Sequence, residues 1–80
     1  MNESIKNLID KLKKYDAPQD IIDDILNAKK WTDEDKIAFV NYHCDKIKYL
    51  SSQASFNEDA ATHLQITKYL YELYLNVINS

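Results

Sequence analysis

The sequence predicts an all-α fold, a small bundle of four helices, and three observations carry that expectation. Apolar residues recur at three- and four-residue spacing along most of the chain, and residues suited to helix caps stand at the helix starts. The stretch from Asp59 to Ile78 is, in addition, apolar around most of a helical circumference. Such spacing lines one side of a helix that turns about 100° per residue.

The first segment, residues 3–15, places Ile5, Leu8, Ile9 and Leu12 on one face, with Asn2 or Ser4 as its cap. It breaks at Asp16-Ala17-Pro18-Gln19. Asp16 is suited to cap the next helix, Pro18 fits a first turn but not an interior, and Gln19 completes a capping box. The second segment, residues 18–29, is short and strongly two-faced, carrying Ile21, Ile22, Ile25 and Leu26.

Thr32 before Asp33, Glu34 and Asp35 is the clearest start, because the hydroxyl caps and the carboxylates meet the positive end of the helix dipole. The third segment, residues 33–53, gathers Ile37, Val40, Cys44, Ile47 and Ala54 on a main face widened by Phe39, His43 and Leu50. Trp31, just before the cap, is placed to fold back on the first turn as a staple. Ser55 and Asn57 compete to cap the fourth segment, residues 58–78.

In that fourth helix Ile66, Leu70, Leu73 and Val77 fall on one line and Thr67, Tyr71, Tyr74 and Ile78 beside it. Leu64, Leu75 and Tyr69 widen the band and leave only Gln65, Lys68, Glu72 and Asn76 as a polar strip. A surface helix needs an apolar stripe of little more than about 100°. This one must be surrounded, either by the other helices or by a second polypeptide. The two long helices, each about 30 Å at 1.5 Å per residue, are expected to form an antiparallel hairpin with the short ones over one side. The other side is then left for a partner, or for a second copy joined through the fourth helix.

Eighty residues imply one domain, 1–80, near the lower limit for a single core. The net charge of −3 is too mild for a nucleic-acid mimic, and every one of the 10 basic residues is lysine. Without arginine the chain lacks the fork that grips phosphates and guanine edges. Drawn as a helix-turn-helix, it would present Asp33, Glu34 and Asp35 to DNA, which is electrostatically backwards. Direct nucleic-acid binding is therefore not expected. No apolar run approaches the length of a membrane span, and the N-terminus lacks the unbroken apolar stretch of a secretion signal. Cys44 is the single cysteine, so no intrachain disulfide forms, which suits a cytoplasmic location.

Absence of glycine excludes phosphate cradles, nucleophile elbows and calcium loops that need a turn glycine. His43-Cys44 and His63 lack the paired spacing of a zinc site, and adjacent helical residues point about 100° apart, too far for a base and nucleophile pair. The carboxylates Asp20, Asp23 and Asp24 are explained by a solvated helix face. No catalytic residue, metal or cofactor is expected.

The expected function is that of a non-enzymatic protein-binding module of the small inhibitor, immunity or anti-defence type. The alternative is a dimeric transcriptional or nucleoid-associated co-regulator. Tyrosine suits recognition surfaces because a rigid apolar body ends in a hydroxyl that stays wet. Tyr42 and Tyr49, with Asp45 between them, flank the main stripe of the third helix; Tyr69, Tyr71 and Tyr74 lie on the fourth. These six are the candidate partner-binding residues. In architecture the chain resembles small four-helix immunity proteins and phage-type inhibitors. Helix order and Thr32-Asp33 before the long third helix resemble, over the middle half of the chain, the Hha-type co-regulators. That likeness implies a nucleoid protein as partner.

Overall fold

The computed structural model describes residues 2–80, which contain α1 (Glu3–Lys14), α2 (Gln19–Leu26), α3 (Asp33–Gln53) and α4 (Glu58–Ile78). A single turn of 3-10 helix, Ala28–Lys30, links α2 to α3. Helical segments and their order agree with the periodicity. The expected antiparallel hairpin of α3 and α4 is present, with Phe39 opposite Tyr74 and Cys44 opposite Tyr71.

Local chemistry sets most of the boundaries. Asn2 caps α1, its Oδ1 accepting from the Ile5 amide at 2.9 Å. Thr32 caps α3, its hydroxyl accepting from the Asp35 amide at 3.1 Å. Asn57, not Ser55, caps α4, accepting from the amides of Asp59 and Ala60. In each case a side-chain oxygen satisfies first-turn amides that have no carbonyl four residues back.

Asp16 does something different from what its position before Pro18 suggests. It ends α1 instead of starting α2, adopting φ of 56°, while the Ala17 amide donates to the Leu12 carbonyl and the Asp16 amide to that of Lys13. This is the Schellman pattern, which normally places glycine in the left-handed position. A chain without glycine uses aspartate, one of the few other residues that tolerate it. α2 therefore begins without a side-chain cap. Gln19 donates to the Asp23 carboxylate at 2.9 Å and does not close a capping box.

α2 also stops earlier than residue 29. The Asn27 side-chain amide donates back to the Asp23 carbonyl at 3.0 Å, competing with the helical ladder as asparagine does. The chain then tightens into the 3-10 turn that buries Ala28 completely. Beyond it the Trp31 ring stacks on Tyr74 at 5.8 Å and packs on Phe39 at 5.3 Å, so it reaches past its own first turn to α4.

Most of the apolar girdle of α4 is covered within the chain, with Leu75 left exposed. α1, α2, the 3-10 turn and α3 all pack on α4, and the core is built from Ile5, Leu8 and Leu12 of α1, Ile22 and Ile25 of α2, and Leu70, Leu73, Tyr74 and Val77 of α4. Leu73 is fully buried at the centre. Thr67, the buried polar residue of α4, donates its hydroxyl to the His63 carbonyl at 2.7 Å.

α3, in contrast, packs principally on α4 alone, and its buried side is rotated from the expected one. Only His43 and Leu50 are buried, flanked by half-buried Phe39, Val40, Ile47 and Ala54. Ile37 is 60% exposed, and Cys44 is also outside. Rows such as His43 and Leu50, or Val40, Ile47 and Ala54, repeat every seven residues. That is the seam one long helix presents to another. The seam centres on the wide Phe39 and His43 rings, and Ile37 and Cys44 fall off it. No helix among the described residues is long and apolar enough to cross a membrane.

Candidate functional site

The six candidate residues separate by helix. Tyr42 and Tyr49 stand on the outer side of α3 at 54% and 65% exposure, two turns apart, with Asp45 exposed between them. The α4 tyrosines turn inward to different degrees. Tyr69 is half-buried at the α1 seam, with the Lys11 ammonium 5.4 Å from its ring centre and Tyr15 at 6.1 Å. Tyr71 is half-buried against α3, its hydroxyl 4.0 Å from Cys44 Sγ. Tyr74 is a core residue, only 5% exposed, and is unavailable as a surface anchor. It is buried because it faces the Trp31 turn on one side and Phe39, at 4.6 Å, on the other.

Other apolar side chains join the exposed side of α3 that spacing alone did not single out. Phe56, in the turn that follows the helix, is 73% exposed; Ile37 is exposed as well, but borders the opposite flank of the helix from Tyr42. The seven-residue interval from Tyr42 to Tyr49 to Phe56 was the available signal, since it marks a line that a seven-residue seam leaves outside.

An aromatic cluster ties this face to the core. Phe39 stacks on His43 at 3.9 Å, Tyr42 meets His43 edge-on at 5.1 Å and 77°, and Tyr71 lies parallel to His43 at 6.3 Å. His43 Nδ1 is 2.9 Å from the Phe39 carbonyl oxygen. A carbonyl only accepts, so Nδ1 carries the hydrogen and Nε2 of the neutral ring is left as an acceptor. Burial pushes the His43 pKa below its ordinary 6.5; the Phe39 hydrogen bond opposes this, and the charge of Lys46 adds to the lowering. Lys46 also donates to the Tyr42 hydroxyl at 3.3 Å and lies 5.4 Å from the Tyr42 ring centre, holding that ring upright on the surface.

Between the end of α2, the Trp31 turn and the first half of α3 lies an open cleft of about 490 Å³. Trp31, Phe39, Tyr42 and His43 form its aromatic wall beside Ala38, and Asp24 and Asp35 supply carboxylates. A smaller hollow of about 300 Å³ on the other flank of α3 is bounded by Lys36, Ile37, Val40, Asn41 and Tyr74. The arrangement offers apolar contact, ring faces and hydrogen-bond acceptors. No known protein family matches the chain, and neither a curated protein nor a solved structure is detectably similar to it.

Proposed function

We propose that the chain is a non-enzymatic protein-binding module of the small inhibitor, immunity or anti-defence type, working in the cytoplasm through the outer side of α3. The supporting observation is where the exposed apolar side chains lie. Ile37, Tyr42 and Tyr49 on α3 and Phe56 just beyond it are the four most exposed, while Tyr15, Ile21 and Leu75 elsewhere are less so and α4, the most apolar helix, is largely wrapped by its neighbours. A long helix covered on one side, with tyrosines turned outward, suits recognition because each ring adds contact area at little conformational cost. Asp45, between the tyrosines, supplies a charge that orients a partner more than it binds one.

The second reading is a dimeric transcriptional or nucleoid-associated co-regulator. It draws on the exposed lysines of α1, Lys6, Lys11, Lys13 and Lys14, as a weak strip for a phosphate backbone.

Site-specific photo-crosslinking tests both. A benzophenone side chain at position 42 or 49 is expected to trap a different protein in cells, whereas the same group at Gln65, on the polar strip of α4, traps none. Adducts of equal yield from all three positions, or none from 42 and 49 in a folded variant, would refute the protein-binding reading. An adduct of two copies of this chain would instead favour the dimeric one.

A further inference from the structure

The cleft beside Trp31 has a chemistry narrower than the α3 surface as a whole. We propose that it receives the guanidinium group of an arginine side chain carried by the protein partner; the inference rests on the protein-binding reading of α3. Its wall is made of rings, Trp31, Phe39 and Tyr42, whose faces attract cations. The charged groups that line it are acceptors. The carboxylates of Asp24 and Asp35 only accept. His43, 8% exposed, commits Nδ1 to the Phe39 carbonyl and leaves Nε2 without a hydrogen-bond partner among the described residues.

Charge points the same way. Between Asp20 and Asp35 the sequence sets six carboxylates against two lysines, Lys29 and Lys30. Lys29 is held by the Ser80 carbonyl. An anionic ligand would meet this excess of negative charge. A donor-only cation meets carboxylates and ring faces, although the Lys46 ammonium already lies 5.4 Å from the Tyr42 ring centre. Guanidinium fits better than ammonium because it is planar, stacks on rings, carries five forked donors and is less strongly hydrated, so less water has to be removed in an open cleft. The chain contains no arginine. The occupant therefore cannot come from this chain or from a second copy, which makes the proposal specific to a different protein.

The test uses Trp31, the single tryptophan, as a reporter inside the cleft. N-acetyl-arginine amide is titrated into the intact protein while Trp31 fluorescence and the Trp31 indole and His43 ring resonances are followed. The lysine and citrulline analogues serve as controls. Saturable shifts at both rings are expected with the arginine compound, with citrulline, the neutral isostere, weaker by about tenfold or more. The D24N/D35N double variant, whose substitutions lie at exposed positions and leave the ring wall intact, should weaken arginine binding about tenfold as well, the factor that corresponds to one charge-assisted contact.

No saturable shift with the arginine compound would overturn the proposal. So would an equal response to citrulline or lysine, or binding unchanged in D24N/D35N. Crosslinks at Tyr49, two turns along α3, report on the docking face independently. Adducts at 49 with no arginine response would sink the cleft alone. Arginine binding without adducts would sink the docking face.

Discussion

Replacing Asp16 by glycine should raise the stability of the chain by up to about 1 kcal/mol, read as a higher urea midpoint at unchanged m value. Asp16 sits at φ 56°, where an L-residue is strained, and its carboxylate lies at the negative end of the α1 dipole. Glycine relieves both and gives back part of the gain through the entropy of the unfolded chain. A midpoint that stays or falls would show that the aspartate side chain supports the turn in some other way. His43 belongs to the same scale. Its folded-state pKa lies below the unfolded value of 6.5 because burial disfavours the charged ring. Above 6.5 both states are neutral and the contribution is fully present. As the pH falls from 6.5 through the lowered folded value, the unfolded state takes up the proton first and stability declines, by at most about 1.4 kcal/mol per pH unit. His43→Leu should flatten that slope in urea titrations at successive pH values; a slope that persists would assign it to other groups.

At the scale of the helix, caps provide the sharper test. Asn57→Ala is expected to lower stability by about 1 kcal/mol, and Ser55→Ala to leave it within about 0.5 kcal/mol, because the Asn57 carboxamide alone accepts from the first amides of α4. Equal losses from the two, measured by thermal unfolding, would contradict the cap geometry. The helix start at Thr32 was legible, and those at Asn2 and Asn57 to within two residues, because capping involves residues within one turn of each other. The capping of α2 was not, since Asp16 can either cap forwards or close α1 backwards. The absence of a glycine for the second task decides between them. The same limit applies to the candidate site. Tyr42, Tyr49 and Asp45 were readable as an outward flank of α3, but the cleft depends on Asp24 and Trp31, which come from other elements.

For the molecule as a whole, α4 is the element on which the others rest. Leu73→Ala should therefore cost about 2–5 kcal/mol, as large-to-small changes do in a packed core. Ile37→Ala, on the uncovered side of α3, should stay within about 0.5 kcal/mol. Chemical denaturation of both variants checks the contrast; similar losses would mean that Ile37 is covered in solution, by a second copy or another chain.

The sequence by itself determined that four helices form, roughly where they begin and end, and that the last must be surrounded. Those properties follow from spacing and capping within a few residues. Only the tertiary structure decided that α4 is the centre and that the most exposed apolar side chains stand on α3 and the turn after it. Tyr74 looked as available as Tyr42 because residues on two helices can be equally apolar. Which of them is buried depends on which faces meet. The meeting of α3 with α4 is governed by the seven-residue seam and by the fit of the Trp31, Phe39 and His43 rings, contacts that bring together residues more than thirty positions apart, such as Phe39 and Tyr74.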